Sequence, residues 1–309
     1  MDFVWAILAP VVVLLAVLFA GAAPAALVVC VWRRSVGTRR HSPLTSDLRR
    51  PPGYSLTQSL GELDTDLDAM VAMLLATPAA LVATMLLWRQ SGGAADWRTQ
   101  VGALLIVAAV AYVFVARRLW GQLTKRRNLI VGLEGERFVG EELNTLMREG
   151  CYVFHDVQMD DGSNIDHVVV SPSGVFSVNT KTLGRLAERF KEARMTVDYD
   201  QEKMVFPDRV APLPSGRLKK EAGWLSRELT SATGFTVRVE PMLALPGWFV
   251  ERKGASTGVF VFNPKTPSKF FILPRTILDA ERMGQLAYQL DRMTRDVPRS
   301  YQRRGKWPE

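Results

Sequence analysis

Apolar residues crowd the first part of the chain in three runs. Phe3 to Trp32 carries no ionisable side chain except Cys30, and it exceeds the ~20 residues needed to cross a bilayer. Leu67 to Trp88 is the second run, with Glu62, Asp64, Asp66 and Asp68 at its start. Val101 to Ala116 is the third, extended by Arg117, Arg118, Leu119 and Trp120. The pattern predicts three transmembrane α-helices at about 3–32, 67–88 and 101–120. Trp88, Trp97 and Trp120 fall where interfacial aromatics are expected.

From Asn128 the pattern changes. Between Val131 and Glu149, Leu133, Phe138, Val139, Leu143, Leu146 and Met147 recur at helical spacing, with Gly150 as a stop. Cys151–Gln158, Ile165–Ser171 and Gly174–Thr182 read as strands. The last two are joined by Ser-Pro-Ser-Gly, a turn with proline at its second position. Met195–Tyr199 and Lys203–Phe206 are short candidate strands, and Leu218–Leu229 is an amphipathic helix with Ala222, Leu225 and Leu229 inward. Val237–Leu245, Gly258–Phe262 and Phe270–Leu273 read as further strands, and Pro274–Met293 ends in a helix. The expected organisation is a membrane region at 1–127, an α/β domain at 128–295, and a loose basic tail at 296–309.

Charge adds an orientation. The 309 residues carry a net charge of +8, which suits contact with nucleic acid or anionic lipid. Much of the excess flanks the apolar runs: Arg33, Arg34, Arg39, Arg40, Arg49 and Arg50, then Arg117, Arg118, Lys125, Arg126 and Arg127. Positive flanks favour the cytoplasm. The expectation is a multi-pass inner (plasma) membrane protein with its N-terminus outside and its α/β domain in the cytoplasm. The apolar runs hold almost no charged residue that would mark an ion path, so a transporter is disfavoured. Cys30 and Cys151 give no disulfide framework. A glycine-rich phosphate loop and a GxSxG elbow are both absent.

The candidate chemistry lies in the 165–182 hairpin. Alternation puts Asn179 and Lys181 on one face, with Val175 and Ser177. With a loop of two or four residues, partners sum to 345 and Asp166 sits opposite Asn179. A three-residue loop would instead bring Thr180 opposite Asp166. A carboxylate, an oxygen ligand and a lysine on one face suit a hard cation, Mg²⁺ or Mn²⁺, which polarises a phosphodiester and acidifies a water. The plain alternative is a hairpin with a solvated polar face. Glu136 is placed to add a carboxylate from the preceding helix.

GLEGE, then NIDHVVV, then GVFSVNTK resembles the nuclease-related domain (NERD) family, over roughly residues 128 to 275. That family belongs to the PD-(D/E)xK restriction-endonuclease-like superfamily. The resemblance implies a mixed sheet flanked by helices and a metal-dependent nuclease acting on DNA. It carries over Glu136, Asp166 and Lys181 by position, with Glu136, Asp166 and Asn179 as the metal set. Where the pattern has an acidic residue two before the lysine, Asn179 stands here, so the metal site lacks one charge. The resemblance also sets Arg217, Lys219 and Lys220 beside the nucleic-acid backbone. The alternative function is a nucleic-acid- or protein-binding module that cuts weakly or not at all.

Overall fold

The computed structural model describes residues 46–90, 97–184, 193–256 and 258–298. Residues 62–126 fall in one compact unit, and residues 44–61 and 127–299 in another. The first apolar run, with Arg33, Arg34, Arg39 and Arg40, lies outside the described residues.

The first unit draws on two helices, α1 (Tyr54–Gln90) and α2 (Trp97–Asn144). Arg126 Nε donates to Asp64 Oδ1 at 2.6 Å between them. Among the described residues no helix is long and apolar enough to cross a membrane. On α2, however, Ile106, Val110, Phe114 and Trp120 are all exposed. The helix expected at 131–149 is the end of α2, followed by a 3₁₀ turn at Thr145–Glu149. Gly150, at φ 82°, closes that turn in the left-handed region, where glycine meets no Cβ penalty.

The second unit is built on five strands: β1 (Tyr152–Gln158), β2 (Asn164–Ser171), β3 (Gly174–Thr180), β7 (Val239–Ala244) and β9 (Phe260–Phe262). They lie in the order β1-β2-β3-β7-β9. The first three are antiparallel, while β3–β7 and β7–β9 are parallel. Valine-rich stretches suit strands covered on both faces. A smaller sheet has the order β6-β5-β4-β8, from β4 (Arg194–Asp198), β5 (Lys203–Val205), β6 (Val210–Pro212) and β8 (Phe249–Lys253).

Alternation divides the core. Val168, Val170 and Val175 pack with α3 (Ser215–Thr233) and α5 (Ala280–Thr294). Val153, Val169, Phe176 and Val178 pack on the opposite face with Val139, Leu143 and Leu146. The chain from β3 to its parallel neighbour β7 runs through α3, so the start of α3 lies toward the C-terminal end of β3.

The spans expected at about 67–88 and 101–120 find no support among the described residues, and three further expectations change. Phe270–Leu273 is not a strand. Ser268–Phe271 forms a single helical turn, α4, with the N–H of Ile272 bonded to Ser268 O at 3.0 Å. A four-residue apolar run has no periodicity to separate the two, and Phe271 is buried edge-on to Phe176. Arg50, counted above among the orienting arginines, is buried. Its Nη1 lies 3.6 Å from Asp156 Oδ2, and its Nε donates to Asp296 Oδ1 at 2.7 Å. Asp296 is therefore not part of a loose tail, and Val297 pairs with Leu48 in an antiparallel bridge. Residues 46–55 thus form a belt on this unit, with Pro52 against Gly140.

Candidate metal and phosphodiester site

The turn between β2 and β3 holds two residues, Pro172 and Ser173. The register runs from Ser171↔Gly174 to His167↔Val178, each pair summing to 345. The pairing ends there; continued by one position, the register would bring Asp166 opposite Asn179. There the N–H of Thr180 donates to Asp166 Oδ2 at 2.6 Å. The N–H of Lys181 donates to Ala244 O at 3.0 Å, continuing the β3–β7 pairing. Alternation therefore extends to Lys181, which shares the face of Asn179 and is half-buried.

On the other side of β2 the pairing with β1 passes from His155↔His167 to Val157↔Ile165. Between these pairs Asp156 stands across from Asp166, with φ 54°. Aspartate tolerates that region better than most residues. Asp156 is fully buried. Its carboxylate accepts from Ser55 N at 3.0 Å, Ser55 Oγ at 2.7 Å and Asn164 Nδ2 at 2.6 Å.

Glu136 comes from the last part of α2. Gly135 lets the helix approach closely, since a Cβ there would overlap Thr182. Glu136 is 8 % exposed, Asp166 7 % and Asn179 6 %, so all three oxygen-bearing groups are out of water. Glu136 Oε2 and Asn179 Oδ1 have no hydrogen-bond partner.

The electrostatics follow from this crowding. Burial pushes Glu136 up to about 9, and the charges of Asp166 and Asp156 add to the rise. Burial pushes Asp166 up to about 7; the Thr180 N–H and the Arg217 charge oppose it, and Glu221 and Asp156 reinforce it. On the other sheet face a second polar chain is dry. His155 Nε2 meets Asn144 Oδ1 at 3.1 Å, and the two histidine Nδ1 atoms lie 2.9 Å apart. His167 Nε2 meets Thr180 Oγ1 at 3.2 Å. Burial takes His155 down to about 4 and His167 well below its usual value, so the pair is neutral at pH 7. The pair supports Thr180, which in turn binds Asp166.

Among the described residues no group of three His, Cys, Asp or Glu side chains is placed to hold a metal ion. The donors at this site are two carboxylates and an amide. They still fit a hard cation. Buried oxygens without donors are rare in folded chains, and a divalent ion would satisfy both of them while offsetting the crowded carboxylates.

The basic residues of α3 are exposed. Arg217 Nε donates to Glu221 Oε1 at 2.6 Å, and Lys220 Nζ lies 2.9 Å from Asp161 Oδ2. A groove of about 340 Å³ lies elsewhere, along Val239, Met242 and Phe260, and none of the residues above lines it. Asp156 and Glu221 were missed in the sequence. Asp156 leaves a trace, as a charge inside an apolar strand, whereas Arg50 lies 106 positions from it and leaves none.

The family model for the nuclease-related domain matches residues 131–246. No curated protein and no solved structure matches the chain.

Proposed function

Since the chain carries a nuclease-related domain over residues 131–246, we propose that it hydrolyses DNA phosphodiesters with Mg²⁺ or Mn²⁺ from a membrane anchor. One observation carries this reading: the oxygens of Glu136 and Asn179 are buried without donors, where the Asp166 charge bears on Glu136 and the N–H after Asn179 binds Asp166.

Asp166, Glu136 and Asn179 would hold the cation. The cation supplies Lewis-acid polarisation and a water acidic enough to ionise near neutral pH. Asp166 keeps its orientation through the Thr180 N–H. The Lys181 ammonium donates to a phosphate oxygen or to the attacking water, offsetting negative charge as it develops. Arg217, Lys219 and Lys220 contact phosphates without reading bases.

The membrane part rests on the apolar runs and on the exposed Ile106, Val110, Phe114 and Trp120 of α2. Large apolar side chains left exposed along one helix suit a lipid or protein cover. The basic flanks favour a cytoplasmic side for the domain. Full-length protein should float with liposomes and resist extraction by high salt or alkali; release by either would remove the anchor.

The test of the chemistry is cleavage by full-length protein. Asp166→Ala and Lys181→Ala should each abolish metal-dependent cleavage while the melting curve stays cooperative. Cleavage unchanged by both overturns the proposal. The uncharged amide of Asn179 favours a second reading, a membrane-tethered module that binds nucleic acid without cutting. Salt-sensitive DNA binding with no cleavage in either metal would select it, and a gain of cleavage in Asn179→Glu would identify a disarmed nuclease.

A further inference from the structure

Register sets Phe176 beside Glu240 and Met242 beside Phe260, and alternation puts all four on one sheet face. Over β7 and β9 that face meets the single turn α4. The Phe270 ring lies 5.6 Å from that of Phe260 and 5.1 Å from that of Phe262. Beside this turn the groove of about 340 Å³ remains, at the small end of the ~300–1,000 Å³ range of ligand sites. Phe176, Val239, Met242, Phe260, Phe270 and Leu273 line it. The first three of these are buried and the others half-buried, so the groove reaches from the surface to the core.

The polar groups of the groove are not balanced. Arg238 and Lys269 line it and are exposed, and among the described residues neither has an ion-pair partner. The lining carboxylate, Glu240, is neutralised by Arg275, with Nη2 at 3.0 Å from Oε1. Ser256 donates to Val259 O within its own loop. Arg252 lies over the Phe260 ring at 4.3 Å, and its N–H groups go to Val261 O. An apolar lining beside two unpaired cations discriminates by charge. A cationic ligand would be repelled, a neutral one would leave both charges unused, and a two-chain lipid exceeds the volume.

We propose that this groove binds a small hydrophobic carboxylate, with one ring system or one short chain lying on Phe176, Met242 and Phe260 and its acid group at Arg238 and Lys269. The guanidinium fork of Arg238 suits a carboxylate. The groove lies at the other end of β3 from the strand-end carboxylates, because Val239 pairs with Val175 whereas Leu243 pairs with Asn179. It therefore stands apart from the metal reading, and either can fail without the other.

The experiment is equilibrium dialysis of 2-naphthoate against the full-length protein. Binding should saturate at one molecule per chain, and octanoate should displace it. Arg238→Glu with Lys269→Glu, both at exposed positions, should weaken binding about tenfold or more while the melting curve stays cooperative. The uncharged 2-naphthamide, of the same shape, should bind about tenfold more weakly than 2-naphthoate. The same charge reversal at Arg148 and Arg227, exposed residues that do not line the groove, should leave binding within about twofold. Uptake that does not saturate overturns the proposal, as does equal binding of the amide. It also falls if the Arg238 and Lys269 variant binds as before, or if the Arg148 and Arg227 variant loses as much.

Discussion

At the scale of single residues, the acidic cluster and the histidine pair respond to pH in opposite directions. Folding raises Glu136 from the usual carboxylate range to about 9 and Asp166 to about 7. The folded chain then binds more protons than the unfolded one between about 4 and those values, so stability falls as pH rises through that window. The two buried histidines are depressed, so their contribution is lost as pH falls below about 6.5. The effects oppose each other below about 6.5, and above it the carboxylates act alone. In EDTA the melting temperature should therefore fall between pH 7 and 9, and Glu136→Gln should flatten that slope. Mg²⁺ should raise the melting temperature more at pH 8.5 than at pH 6.5, because it competes with fewer protons. Arg50 makes a separate prediction. Arg50→Ala leaves Asp156 buried without its cation, and losing one partner of a buried pair costs about 3–5 kcal/mol. Chemical denaturation would measure the loss. Asp166, Asn179 and Lys181 were legible because a period of two and a short turn fix their face. Asp156 and Glu221 were not, because each is identified only by what lies against it in space.

At the scale of elements, the site depends on how closely α2 can approach the sheet. Gly135 gives Thr182 its place, and Gly140 admits the ring of Pro52 at 2.7 Å from where a Cβ would stand. Neither neighbour is the far end of a flexible side chain. Gly140→Ala should cost about 1–3 kcal/mol by overpacking, and Gly135→Ala should also displace Glu136 and weaken Mn²⁺ binding. Gly284, in the middle of α5, has nothing within 4 Å of its Cβ position. Gly284→Ala should therefore stabilise by about 0.5–1 kcal/mol, which makes it a control for the other two. The hairpin register followed from its turn length, but α4 did not follow from its sequence. Phe270 and Phe271 satisfy a strand and a helical turn equally well, and the aromatic stack on Phe176 and Phe262 decides between them.

At the scale of the whole molecule, the α/β unit is discontinuous in sequence. It takes in residues 44–61, then resumes at 127. The expected boundary at 128 followed the end of the apolar runs, and hydropathy gives no sign that a proline-rich stretch before them belongs with the sheet. Ser55 satisfies Asp156, Arg50 pairs with it, and Pro52 seats on Gly140. A fragment starting at residue 128 should consequently melt well below the full-length protein and bind Mn²⁺ poorly. Adding a synthetic peptide of residues 46–61 should recover part of both. Equal melting with and without the belt would show that Asp156 finds other partners.

The bridge between Leu48 and Val297 has a consequence for synthesis. The ribosome releases the belt before any strand of the sheet exists, and releases its partners Asp296 and Val297 after all of them. A segment made before the sheet is thus seated only after the sheet is made. A nascent chain stalled short of residue 296 can pair its strands yet leaves Arg50 without Asp296, so the clasp behind the acidic cluster stays open until that residue has emerged.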